Sequence, residues 1–221
     1  QYVDRRDEAV TLLNGLLAVR ERVAGAKSKE VASTCELLAE LHAAAENWNE
    51  SRAVAERQLA IAMETKGPDD PLTARARFTL ATAHTGLGRW ADSRANLDEA
   101  MRIRRKVSGD ESGDVAIVLH ALGSLALEQK KGVEAKAAFE RSLAMREKLG
   151  GATNETLADG KTGVGRAMLL MDQPKDAVLQ FEEVLKLLGD VDDRRRLARA
   201  KVDLGRALLL AAFGAFWAAG L

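Results

Sequence analysis

The sequence predicts an all-α solenoid of antiparallel helix pairs. Three observations carry this: a self-similarity at a shift of 42 residues, helix-start and helix-stop residues that recur at that shift, and a composition rich in helix formers. Ala, Leu, Arg and Glu abound, and β-branched runs are missing. The 221 residues are 47% hydrophobic and 30% charged, which suits a folded chain and excludes the disordered class. Lys+Arg and Asp+Glu both number 33, so no net charge draws the chain to nucleic acid or an anionic membrane. The single Cys35 excludes an internal disulfide framework and a Cys-based zinc site, and fits a reducing, cytoplasmic setting. No stretch reads as a signal peptide or membrane span; the apolar run from Ala211 to Leu221 is too short to cross a bilayer.

The self-similarity is dense. Leu38, Leu80, Leu122 and Val164 fall in register, each followed by a small residue, Ala39, Ala81, Gly123 and Gly165. Ser51, Ser93, Ala135 and Ala177 align, then Ala55, Leu97, Phe139 and Phe181. Leu59, Met101, Leu143 and Leu185 follow, with Ile61, Ile103, Met145 and Leu187 beside them. Ser28, Asp70, Ser112 and Asn154 recur as N-cap types, whose oxygens satisfy free amides of a first helical turn. Pro71 suits a first helical position, and Gly25, Gly67, Gly109 and Gly151 suit helix ends.

Each repeat therefore reads as loop, helix A, short turn, helix B, loop. Residues 1–27 are helix B of a partial repeat, since Ala9, Leu13, Leu17 and Val19 match the helix B register. Four full repeats follow at 28–69, 70–111, 112–153 and 154–193, and 194–221 is a partial or capping repeat. There the register slips, with Leu204-Gly205 falling 40 residues after Val164-Gly165, and helix A is expected from Leu197 to about Ala212. Solenoid ends need capping helices, so the chain reads as a piece of a longer array. Within the second repeat, Leu80, Ala81 and His84 share a face of helix A, and Ser93, Leu97, Ala100 and Met101 share a face of helix B. Small residues at Ala81 and Ser93 let the helices approach.

The run from Leu80 to Gly109 resembles a tetratricopeptide repeat (TPR). It carries Leu80-Ala81, the large His84, Gly88, the aromatic Trp90, the small Ser93, the large Leu97 and Ala100 in that family's order. The minimal repeat is about 34 residues, so the longer form here resembles the kinesin light chain type. The resemblance covers essentially the whole chain and implies a right-handed superhelical α-solenoid that binds proteins. Two turns depart from it: Lys130-Lys131-Gly132 and Asp172-Gln173-Pro174 lack the aromatic.

No enzyme motif is present: no phosphate loop, no dinucleotide fingerprint, no His-Glu-x-x-His. No catalytic residue, cofactor or metal is assigned. The stretch Gly160 to Gly165 evokes a nucleotide loop, but its spacing is wrong and the register puts it inside a helix A, weakened by its glycines. His42 and His84 occupy equivalent positions and are expected to form a packed, hydrogen-bonded pair rather than a metal site. Cys35 reads as a buried, inert thiol, and Trp48 and Trp90 as structural turn residues. Glu182-Glu183 and Asp192-Asp193 are solvated or capping carboxylates, and Arg194-Arg195-Arg196 a solvated helix start.

Residues two before and two after each anchor leucine point away from helix B and form the inner wall of the solenoid, joined by the residue five before. They are Ser33, Glu36 and Glu40; Arg75, Phe78 and Thr82; Ile117, His120 and Ser124; Asp159, Thr162 and Arg166; and Arg199, Val202 and Arg206. This groove is expected to be acidic at its front, apolar in the middle and basic at its back. It would fit a protein or peptide segment with a central apolar residue and an acidic flank. Peptide-binding relatives place Asn pairs before the anchor; here Glu36-Leu37, Phe78-Thr79, His120-Ala121 and Thr162-Gly163 stand there. The reading is a non-catalytic interaction scaffold within a larger signalling or assembly protein. Its alternatives are self-association through Phe213, Phe216 and Trp217, and a small-molecule-sensing regulatory domain.

Overall fold

The computed structural model describes residues 2–189 and 193–218, with side chains for 5–189 and 193–213. Its described residues form helices and no strands, in two compact units, Gln1–Asp110 and Glu111–Leu221. The N-terminal unit holds α1 (Tyr2–Ala24), α2 (Lys29–Ala44), α3 (Trp48–Lys66), α4 (Pro71–Gly86) and α5 (Trp90–Ser108). The C-terminal unit holds α6 (Gly113–Glu128), α7 (Gly132–Lys148), α8 (Asn154–Leu170), α9 (Pro174–Leu188) and α10 (Arg194–Ala218). Even-numbered helices are the A helices and odd-numbered ones the B helices. Within each unit every helix packs on its chain neighbours, and successive A helices also touch, α2 with α4, α6 with α8, and α8 with α10.

The helix ends show how closely local chemistry follows the register. Ser28, Asp70 and Ser112 accept from the backbone N–H of Val31, Leu72 and Val115. The fourth cap is Thr153, not Asn154. Thr153 and Thr156 form a reciprocal capping box, which leaves Asn154 as the first helical residue. The loop glycine shifts with it: Gly25, Gly67 and Gly109 have positive φ, but in the fourth loop Gly150 does so rather than Gly151. The cause is α7, which ends at Lys148 after 17 residues where α3 and α5 run 19. The last helix also differs from expectation. Asp193 accepts from the N–H groups of Arg195 and Arg196, so α10 opens at Arg194 and runs on to Ala218. Asp192 lies outside the described residues.

The A–B turns repeat one geometry. Asn47, Arg89, Lys131 and Gln173 donate their N–H to the carbonyls of His42, His84, Ala126 and Met168, the long bond of a Schellman ending. The residue before each donor is left-handed: Glu46, Gly88, Lys130 and Asp172. Only Gly88 adopts that conformation without a Cβ penalty.

The core is a chain of small clusters, each joining three successive helices. Leu17, Val31, Cys35 and Ile61 join α1, α2 and α3, and Ala39, Ala55 and Leu80 join α2, α3 and α4. Phe139 and Leu143 of α7 pack with Ala126 of α6 and Val164 and Ala167 of α8. Phe181 of α9 packs with Ala207 of α10. The glycines of α8 are notches for these rings rather than a weakness. A Cβ on Gly163 would fall 2.6 Å from the Phe139 ring, one on Gly165 2.7 Å from Phe181, and one on Gly160 2.5 Å from Leu143.

Exposed ion pairs close the first three full repeats. Asp69 meets Lys106 at 2.6 Å, Glu111 meets Lys148, and Lys27 meets Glu64 at 2.5 Å with the polarity reversed. Each joins the loop before helix A to the end of helix B, and each contributes about 0–1 kcal/mol at its exposed site.

Candidate partner-binding face

The A helices of the C-terminal unit enclose a cleft of about 190 Å³. Its apolar floor includes Phe139, Leu127 and Leu188, and its rim carries His120, Asp159, Arg166, Arg196 and Arg199. Of the residues expected to form an inner wall, His120, Ser124, Asp159, Thr162, Arg166 and Arg199 meet here. Val202 and Arg206 are exposed on α10 but do not line the cleft, and Ile117 is 38% exposed on α6.

The rim arginines are not equivalent. Arg166 is anchored by Asp203, with Nη2 at 2.6 Å and Nε at 3.1 Å from the same carboxylate oxygen. Arg196 reaches Asp159 at 3.3 Å and Asp193 at 3.5 Å. Arg199 is exposed and makes no ion pair among the described residues. Asp203 and Arg196 escaped the sequence reading as members of this site. The spacing of 37 residues shared by Asp159–Arg196 and Arg166–Asp203 was the available signal.

His120 stands edge-on to Phe139, with ring centres 5.0 Å apart and planes at 76°. Burial pushes its imidazole below the ordinary value; Arg146 of α7 adds to that and Asp159 opposes it. Arg146 is itself shifted down, by burial against the pull of Asp159, and its Nε reaches only Ser142 Oγ, at 3.4 Å.

On the corresponding face of the N-terminal unit three of the expected side chains are engaged internally. Glu36 of α2 pairs with Arg75 of α4 at 3.5 Å. Burial raises the Glu36 carboxyl and Arg75 opposes the rise. Arg104 lies 5.2 Å from the centre of the Phe78 ring. Glu40 and Thr82 are exposed, and Ser33 is half-buried. Glu36, Arg75 and Phe78 are thus already engaged by residues of their own unit.

The remaining candidates stay structural. The expected bond between His42 and His84 does not form: each Nδ1 is buried without a hydrogen-bond partner among the described residues. Burial lowers the His84 imidazole. Cys35 is fully buried and burial raises its thiol, which suppresses the reactive thiolate. Trp48 packs on Gly86, while Trp90 is 43% exposed. No group of three His, Cys, Asp or Glu that could hold a metal occurs among the described residues. No helix among them is long and apolar enough to cross a membrane.

The tetratricopeptide repeat model matches residues 30–106, 79–148 and 114–190, well over half of the chain. The chain belongs to the tetratricopeptide repeat family. No curated protein matches the sequence. Among solved structures, the chain is similar to BtubC (BKLC) from P. vanneervenii, with a TM-score of 0.75 and 17% identity over 94% of this chain and 84% of that one. It is also similar to nearly identical TPR-like repeats from a Podosopora anserina putative kinesin light chain, with a TM-score of 0.63 and 19% identity over 87% of this chain and 92% of that one. A single-substitution form of those same repeats gives a TM-score of 0.65 and 20% identity, over 85% of this chain and 89% of the other. At these identities the likeness establishes the long-repeat fold seen in the helices. Repeats of this family serve generally as protein-interaction modules.

Proposed function

We propose that the chain is a non-catalytic, cytoplasmic interaction module of a larger signalling or assembly protein, and that it holds a partner segment on its A-helix faces. The observation that carries this is the C-terminal cleft, where residues from α6, α8 and α10 converge over an apolar floor with Arg199 uncommitted. An unpaired guanidinium fork beside an apolar floor suits a carboxylate side chain next to an apolar one. The segment would be anionic where it meets this cleft, with Ile117 of the same unit as an exposed apolar contact. The volume argues against the small-molecule reading: about 190 Å³ accommodates one side chain, whereas small-molecule sites run about 300–1,000 Å³.

Selection from a displayed random peptide library tests this. Peptides enriched on the wild-type chain are expected to carry Asp or Glu, and to lose most of their affinity for the Arg199→Glu, Arg206→Glu double variant. Equal affinity for both forms would remove the charge-directed reading. Self-association remains the second reading, favoured by the exposure of Leu208, Leu209, Leu210 and Phe213 on α10. The side chains of Phe216 and Trp217 lie outside the described residues. Light scattering across a concentration series separates the two, because only self-association raises the mass.

A further inference from the structure

The two units place different chemistry at one pair of register positions. In the N-terminal unit the pair is Phe78 and Arg104, with the guanidinium 5.2 Å from the ring centre. Forty-two residues on, the pair is His120 and Arg146. A phenyl face attracts a cation; an imidazole beside a guanidinium tolerates it only while neutral.

The charged groups at the cleft around His120 are Arg146 from α7, Asp159 and Arg166 from α8, and Arg196, Arg199 and Asp203 from α10, with Asp193 at the start of α10; Asp203 is taken up by Arg166 and Asp193 by Arg196. Guanidiniums outnumber carboxylates there, and Arg146 and Arg199 make no ion pair among the described residues. A proton on His120 therefore adds positive charge where it is already in excess. A carboxylate brought into the cleft reverses that sign, because an opposite charge within about 4–6 Å favours the charged form of a titratable group.

We propose that an acidic side chain of the partner enters the C-terminal cleft together with a proton, which His120 takes up. This rests on the reading of the cleft as anion-accepting, and it adds that binding strengthens as the solution becomes mildly acidic. Asp159 is the internal counterpart: it is the carboxylate that already favours the protonated ring.

The test uses the whole chain, an oligoglutamate carrying a rhodamine label whose charge and emission do not change in this range as probe, and the same label on oligoglutamine as control, at constant ionic strength. Between about pH 7.5 and about pH 5.5 the glutamates remain ionised while His120 can titrate. Affinity for oligoglutamate is expected to rise about three- to tenfold across that window. His120→Phe, which restores the residue of the N-terminal unit, is expected to bind with little pH dependence. In the wild type, the NMR titration midpoint of His120 is expected to move up when the peptide is added. A flat wild-type affinity, a pH slope retained by His120→Phe, or an unmoved midpoint would each overturn the proton coupling. No oligoglutamate binding at either pH, or full affinity of Arg199→Glu, would instead overturn the anion site itself.

Discussion

The N-terminal and C-terminal units fill their separate cores with different distributions of volume. At one helix B position the first two full repeats carry Ala55 and Leu97, and the next two carry Phe139 and Phe181. The helix A residues in register run the other way, Ala39 and Ala81 against Gly123 and Gly165. All four helix B residues are at most 2% exposed, so each solution fills its space. Phe139 lies between two A helices, with a Cβ on Gly123 meeting its ring at 3.0 Å and one on Gly163 at 2.6 Å. From the second full repeat to the fourth, summed volume across the helix pair is kept rather than residue size at a position, Leu97 with Ala81 giving way to Phe139 with Gly123 and Phe181 with Gly165, whereas the first repeat is small at both positions.

The largest test of that comparison removes a ring. Phe139→Ala installs the residue of the first repeat without its compensating partners, and leaves a cavity facing glycine. A loss of about 3–5 kcal/mol is expected by chemical denaturation, localised to the C-terminal unit by hydrogen exchange. Unchanged exchange protection of α6, α7 and α8 would show that the ring does not organise this unit.

Filling a notch should cost less. Gly163→Ala is expected to destabilise by about 1–3 kcal/mol, although alanine is the better helix former by about 1 kcal/mol. Phe139→Leu in the same chain should recover part of that loss, because a branched aliphatic leaves room for the new methyl. Gly15 in α1 is the control, since a Cβ there meets nothing within 4 Å. Gly15→Ala should stabilise by about 0.5–1 kcal/mol. The same substitution would then carry opposite signs in the two units, and equal signs would refute the notch.

The period, the cap types and the apolar faces were legible in the sequence because each depends on one residue type at one spacing. Ser28, Asp70, Ser112 and Pro71 do in space what their chemistry dictates. Asn154 misled because two competent caps stand side by side and α7 is shorter, so Thr153 takes the position with Thr156 as its partner. The glycines of α8 looked like a weak helix because propensity is local, whereas their purpose lies in rings contributed by α7 and α9. For the candidate site, register placed His120, Thr162, Arg166 and Arg199 on one face. It did not show that Arg75 and Glu36 would pair, because both reach across helices of different repeats. Arg146 stayed out of view because it sits on helix B, although its register partner Arg104 pointed to the same place.

A smaller effect is expected at the A–B turns. Lys130 holds a left-handed φ of 57°, where the second repeat has Gly88 at 69°. Lys130→Gly should stabilise the C-terminal unit by about 0.5–1 kcal/mol, the left-handed penalty less the added entropy of glycine in the unfolded chain. Gly88→Ala should destabilise the N-terminal unit by about 1 kcal/mol. Shifts in the midpoint of urea unfolding would read both, and a loss of stability in Lys130→Gly would mean that the lysine side chain contributes more than its backbone costs.

The subtlest contrast is in acid. His84 and His120 are each held below the ordinary imidazole value by burial. Their unfolded forms therefore bind protons first, at about pH 6.5, and each unit loses this contribution as pH falls below that value. In the N-terminal unit Glu36 works in the opposite sense. Burial raises its carboxyl, so the folded unit takes up a proton before the unfolded chain does, and acidification restores stability there. Asp69 and Glu155 are shifted down and report only at more acid pH. Between about pH 7.5 and about pH 5 the C-terminal unit should therefore lose more stability than the N-terminal unit, read by hydrogen exchange resolved along the chain. His120→Phe should abolish most of the C-terminal loss, and Glu36→Gln should make the N-terminal unit more acid-sensitive. Equal acid sensitivity of the two units in the wild-type chain would show that burial of His120 is not what separates them.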